Sequence, residues 1–163
     1  MAKNKEEKTN VMRVLEQKKI AYSAHTYPHE EGVAVDGVTV AQSMGFDPAA
    51  VFKTLVARGA SKQYYVFDVP VAENLDLKKA AKAVGEKSIE MIHQKELLPL
   101  TGYVHGGCSP VGMKKLFPTV IDASVENLET MIVSAGKIGY QVELAPRDLA
   151  ALVRAKFADI IVE

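Results

Sequence analysis

The sequence has no tryptophan, a single cysteine (Cys108) and no surplus of either charge, with Lys+Arg 20 against Asp+Glu 20. Each shortage excludes something. One cysteine cannot close an internal disulfide, which points to a reducing compartment. Balanced charge gives no broad basic face to gather nucleic acid, so DNA is not an expected partner and any tRNA contact must be local. No uninterrupted apolar run approaches the ~20 residues that cross a bilayer. The polar stretch 1–10, with Glu6 and Glu7 read as solvated charge, lacks the apolar segment of a secretory signal. A cytoplasmic protein with no membrane partner is expected. What is present is enough for one core: 163 residues, 48% of them hydrophobic, fit a single domain over 1–163.

Turn and cap signals divide the chain into short elements. Thr9 is a candidate N-cap for a helix ending near Lys18 and Lys19. A strand is predicted over 20–27, a short helix over 38–44 closed by Gly45, and a brief helical turn after Asp47-Pro48. Residues 51–57 and 63–69 read as two strands of a hairpin. Asp76 caps a predicted helix over 77–84 that Gly85 ends, and a strand over 88–92 is followed by a helix over 93–98 stopped by Pro99. Strands over 118–122, 130–133 and 139–144, a helix from Pro146 and a closing segment over 157–162 complete the chain. The expectation is one α/β domain with a twisted, largely antiparallel sheet, partly closed as a barrel and surrounded by short helices.

Two places draw chemical interest. The run Gly106-Gly107-Cys108-Ser109-Pro110-Val111-Gly112 can bring bare backbone N–H groups against a ligand, or can simply be a tight connection. Lys53 sits among apolar neighbours, with Val51, Leu55 and Ala57 on its own face of the strand and Phe52, Thr54 and Val56 on the other. Such a lysine is either an edge gatekeeper, which composition favours, or an ammonium lining a cleft. Other chemistries fit less well. Cys108 has no base at a fixed distance, since His25, His29, His93 and His105 are scattered, and it reads as a small half-buried loop residue. The glycine spacing 107–112 suggests a P-loop, but Met113-Lys114 stand where lysine and a hydroxyl residue belong. His25 and His29 are separated by Pro28 without further ligands, so neither a metal nor another cofactor is expected.

Val51-Phe52-Lys53-Thr54-Leu55, followed by the 106–112 loop, resembles the YbaK family of aminoacyl-tRNA deacylases, relatives of the editing domain of bacterial prolyl-tRNA synthetase. The likeness runs nearly end to end. It includes His25-Thr26-Tyr27, Leu75-Asp76-Leu77-Lys78-Lys79, Pro118-Thr119-Val120-Ile121-Asp122-Ala123, Val133-Ser134-Ala135-Gly136-Lys137 and Lys156-Phe157-Ala158-Asp159-Ile160.

The resemblance implies an editing-domain fold and removal of cysteine from proline tRNA, in trans, by hydrolysis or by attack of the substrate's own thiol on its ester. It implies Lys53 as the essential lysine, Tyr27 as a pocket tyrosine and Ser134 as a serine near the substrate. Gly106 and Gly107 would supply oxyanion-stabilising amides, and Ser109, Pro110 and Gly112 the rest of a substrate-binding glycine-proline loop. The implied partners are the aminoacyl-tRNA 3′ end and prolyl-tRNA synthetase. Two positions depart from the family pattern: Gln141 stands where the prototype has aspartate, and Val35-Asp36-Gly37 occupies the place of an early-loop phenylalanine. The same fold acting on Ala-tRNA or another small aminoacyl ester, or binding aminoacyl-tRNA or a synthetase without catalysis, are the alternatives.

Overall fold

A computed structural model describes residues 8–163; the stretch 1–7, including Glu6 and Glu7, lies outside the described residues. The first helix, α1 (Asn10–Gln17), starts where the Thr9 hydroxyl accepts from the Met12 N–H at 3.3 Å and presents Val11, Met12 and Leu15 to the core. It ends through Lys19, in the left-handed region at φ 59°, with Ile20 N–H donating back to Leu15 O at 2.9 Å. That closure uses the residues expected to begin a strand, so β1 is only Ser23–Thr26.

After α2 (Gly37–Met44), capped by Asp36, and a 3-10 turn at Pro48–Ala50, the chain enters β2 (Phe52–Gly59) and returns as β3 (Tyr64–Pro70). Asp76 then starts α3 (Leu77–Val84) by accepting from the N–H groups of Lys78 and Lys79 at 2.9 and 3.0 Å. Next come β4 (Ile89–Met91) and α4 (Gln94–Thr101). The expected stop at Pro99 is not observed: the helix carries this proline inside it and ends at Gly102. Pro99 and Lys95 are both exposed, so water can serve the carbonyl that the missing N–H leaves free. The glycine-rich loop follows, then β5 (Thr119–Asp122), β6 (Met131–Ser134), β7 (Tyr140–Leu144), α5 (Pro146–Val153) and β8 (Lys156–Ala158).

The strands form two sheets. One is antiparallel in the order β1-β7-β6; the other runs β4-β2-β3-β5-β8, antiparallel across β4, β2 and β3 and parallel across β3, β5 and β8. A bridge between Val51 and Ile132 joins them where β2 begins. The five-stranded sheet is covered on both faces, as its nearly continuous apolar β3 requires. Ala57, Phe67 and Val69 pack with Ala80 and Ala81 of α3 on one face. Val56 and Val66 pack with Leu97 of α4, Cys108 and Phe117 on the other. The loop is therefore a covering of the sheet, part of the crossover from β4 to β5. Phe52 joins the largest cluster, with α1, β6 and β7.

Candidate functional site

The start of β2 is a boundary. The β4 ladder reaches only Ala57–Gly59, so the segment holding Lys53 to Leu55 has no strand beside it on that side. A cavity of about 230 Å³ occupies the gap. Its walls come from β2, the N-terminal end of α2, Tyr27 after β1, Gly106 and Cys108 of the loop, and Ser134 and Gln141 at the facing ends of β6 and β7. The structure thus brings together Tyr27, Lys53, Gly106 and Ser134, residues between 27 and 134 in the chain.

Lys53 is half-buried and forms no salt bridge among the described residues. Burial pulls its ammonium below the usual lysine range, and the negative charge of Glu73 opposes that shift. A desolvated cation without a fixed carboxylate is suited to hold a phosphate or a developing oxyanion. Tyr27 is buried, its backbone fixed by donation to Gly139 O at 3.0 Å. Ser134 is buried too, and its hydroxyl accepts from Gly136 N–H at 3.1 Å. Gln141, opposite Ser134 in the ladder, has a buried Oε1 with no hydrogen-bond partner among the described residues, a neutral acceptor on the cavity wall.

The glycine loop divides into two parts. Gly106 lines the cavity at φ +90°, and a Cβ there would lie 2.7 Å from Ala34 Cβ. Its own N–H has no acceptor among the described residues. Gly107, Ser109, Pro110 and Gly112 do not line the cavity. Gly107 N–H already donates to Val104 O at 3.0 Å, which removes it as an oxyanion donor in this conformation. A Cβ on Gly107 would stand 3.1 Å from Ile138 N, so this glycine lets the loop lie against the backbone after Ser134. The Ser109 hydroxyl, fully buried, accepts from Val111 N–H at 3.2 Å. Gly107 thus seats the loop on the turn between β6 and β7, while Ser109 holds a turn within the loop and Gly112, at φ +80°, packs beside Tyr103.

Cys108 also faces the cavity. Burial, with the negative charge of Asp68 adding to it, pushes the thiol up to about 12, so it is neutral at physiological pH and a poor nucleophile. His25 and His29 do not converge: His25 Nε2 lies 2.8 Å from Glu143 Oε1, and His29 Nδ1–H donates to Tyr27 O at 3.0 Å. Among the described residues, no cluster of three or more His, Cys, Asp or Glu side chains could hold a metal. No described helix is long and apolar enough to cross a membrane.

Two residues, one in the cavity wall and one buried behind it, do not stand out in the sequence. Thr54 was placed on the face away from Lys53, yet both line the cavity because β2 begins there. Asp68 lay within a run read as plain strand; it is fully buried and opposite Thr54. Its signal was present: a charged residue inside the apolar run Tyr65-Val66-Phe67-Asp68-Val69 must find a buried partner.

The sequence profile described as the aminoacyl-tRNA editing domain matches residues 32–152. The chain is 45% identical over 161 residues, 98% of each chain, to EbsC of Enterococcus faecalis, whose name provisionally assigns it Cys-tRNA(Pro)/Cys-tRNA(Cys) deacylase activity. A 28% identity over 100 residues links 61% of the chain to 17% of a proline–tRNA ligase of Shouchella clausii. Among solved structures, one described provisionally as a trans-editing enzyme for prolyl tRNA synthetase superposes with a TM-score of 0.79. That match has 26% identity and covers 94% of this chain and 95% of the other.

Proposed function

The chain belongs to the aminoacyl-tRNA editing domain family, and we propose that it is a trans-acting deacylase that clears cysteine from Cys-tRNA(Pro), with Cys-tRNA(Cys) as a further substrate. The observation that carries this reading is the cavity. It gathers Lys53, Gly106, Tyr27 and Ser134 in a space below the ~300–1,000 Å³ of sites for drug-sized ligands, which suits an aminoacyl group with its ester and leaves the nucleotides outside. The near full-length likeness to EbsC supports the substrate class. The likeness to a proline–tRNA ligase supports prolyl-tRNA synthetase as the partner that delivers the tRNA. A protein with no net charge depends on such a partner to hold the tRNA body. The cytoplasm, where aminoacyl-tRNA circulates, is the proposed setting.

In the proposed mechanism the substrate supplies its own nucleophile. The cysteinyl thiol loses its proton to solvent, and the thiolate sulfur attacks the ester carbonyl carbon. The C–O bond to the terminal ribose breaks, and the ribose oxygen takes a proton. A cyclic thioester of cysteine leaves, and water hydrolyses it. Gly106 N–H and the Lys53 ammonium stabilise the negative charge on the carbonyl oxygen. Gln141 Oε1 accepts from the substrate S–H before the step. This division of labour agrees with the unreactive state of Cys108, since no protein thiol is required.

The test compares deacylation of Cys-tRNA(Pro), Ser-tRNA(Pro) and Ala-tRNA(Pro) by the purified protein. Rapid release of cysteine with serine and alanine retained is expected. Equal release of all three would replace thiol attack with general hydrolysis, and binding of Cys-tRNA(Pro) with the ester left intact for hours would replace catalysis with recognition.

A further inference from the structure

The carboxyl of Asp68 takes no part in the chemistry above, yet it is a costly group to bury. It is 0% exposed, in the middle of β3. Thr54 Oγ1–H donates to its Oδ1 at 2.6 Å, while Oδ2 has no hydrogen-bond partner among the described residues. No lysine, arginine or histidine is paired with it among those residues. The groups packed around it are neutral: the Cys108 thiol from the loop, and from β5 its ladder partner Ile121. Burial pushes the carboxyl up to about 7, with the Thr54 bond opposing the shift. A structural role would be served as well by an apolar pair of the same shape, and a buried carboxyl behind a cavity is a group that an arriving cation can hold in its ionised form.

The cation has a route to it. Thr54 is part of the cavity wall. Because its single proton is committed to Asp68, its oxygen offers only lone pairs to a ligand. Every aminoacyl-tRNA carries an α-ammonium one carbon from the ester carbonyl. We propose that the Thr54 hydroxyl is the acceptor for this α-ammonium, that Asp68 is the positioning residue which orients it and supplies the opposing charge, and that the pair selects free aminoacyl esters over N-blocked ones. This rests on the deacylase reading and extends it. Lys53 serves the anionic side of the substrate, and the Thr54–Asp68 pair serves the cationic side.

The test pairs Cys-tRNA(Pro) with its N-acetyl form, which keeps thiol and ester and lacks the ammonium. A hydrogen bond to a charged group predicts that acetylation lowers wild-type kcat/KM about 10-fold or more. Thr54→Val, which keeps the shape of the side chain, and Asp68→Asn lower kcat/KM for Cys-tRNA by a similar factor, chiefly through KM. Both shrink the ratio of kcat/KM between the free and N-acetyl substrates toward one, and Thr54→Ser restores the preference. A merely structural role lowers both substrates together and overturns the proposal. So does wild-type protein that treats the two alike. Binding is measured in parallel with an adenosine analogue that carries cysteine through an amide, free and N-acetylated. Tighter binding of the free amine in wild type, lost in Thr54→Val, supports the proposal without turnover. Wild-type protein that neither deacylates Cys-tRNA nor binds either analogue refutes the deacylase reading, whereas deacylation blind to acetylation refutes only the ammonium site.

Discussion

Gly106→Ala tests whether the loop holds its cavity-facing backbone by geometry that only glycine permits. Two separable terms oppose the new methyl group. At φ +90° a Cβ is strained by about 1–2 kcal/mol. The same Cβ would stand 2.7 Å from Ala34 Cβ and 3.1 Å from Ala34 Cα, well inside carbon contact distance, an overpacking that costs about 1–3 kcal/mol. Lower entropy of the unfolded chain returns less than about 1 kcal/mol. The net loss is about 2–4 kcal/mol, which lowers Tm by roughly 4–16 °C for a chain of this size. Thermal and urea unfolding read the sum, and a second substitution separates the parts. Ala34→Gly in the Gly106→Ala background removes the nearest atom, so it should recover part of the packing term and none of the backbone term. Cys-tRNA deacylation should stay low in the double variant, because the N–H remains displaced. A Gly106→Ala protein with wild-type Tm, or a double variant with no recovery, would refute this account of the loop.

Three further outcomes follow from the site. Lys53→Met should fold normally, as a half-buried cation with no salt bridge among the described residues is lost, but kcat/KM for Cys-tRNA should fall by about 10²–10³; retained turnover would remove Lys53 from the mechanism. Cys108→Ala should keep deacylating, and iodoacetamide should label the folded wild type slowly at neutral pH, because burial holds the thiol neutral; fast labelling or lost turnover would reinstate it. Asp68 has its folded pKa raised from 3.8 to about 7, so the native state binds the extra proton and stability falls as pH rises through that window. The loss, on the order of 4 kcal/mol at its upper bound, should vanish in Asp68→Asn; parallel stability profiles for the two proteins from pH 4 to 8 would show that Asp68 does not titrate there.

What was legible in the sequence is what local chemistry decides. Thr9, Asp47 and Asp76 announce helix starts because their side chains reach N–H groups two or three residues ahead. The apolar pattern gives the β2–β3 hairpin. Lys53 stood out as a charge among apolar neighbours, although which of its two readings holds depends on tertiary structure: β4 stops at Ala57 and leaves the start of β2 open to a cavity. The same limit hid the division of labour within the loop. Gly106 and Gly107 are alike in sequence, and only the Val104 carbonyl and the backbone at Ile138 make one a cavity wall and the other a packing joint. The meeting of two separate sheets was likewise out of reach, since they touch at one bridge between residues 51 and 132, far apart in the chain.

The size of the cavity constrains how selectivity can arise. A pocket of about 230 Å³ excludes side chains too large to enter, but it cannot exclude smaller ones. Alanine and serine enter wherever cysteine does, and a hydrophobic pocket discriminates a missing methylene by only about 1–3 kcal/mol. The polar groups on its walls, Tyr27, Asp36, His105, Ser134 and Gln141 among them, make hydrogen bonds that a serine hydroxyl could satisfy as well as a thiol. Selectivity for cysteine over serine then has to come from the reaction step, where a thiolate is available near neutral pH and an alkoxide is not. Binding and chemistry divide the task. The Lys53 and Thr54–Asp68 sides would recognise what all aminoacyl esters share, and the nucleophile distinguishes among those that fit. A cavity substitution that admits a larger amino acid should therefore broaden binding while leaving release specific for thiol-bearing substrates.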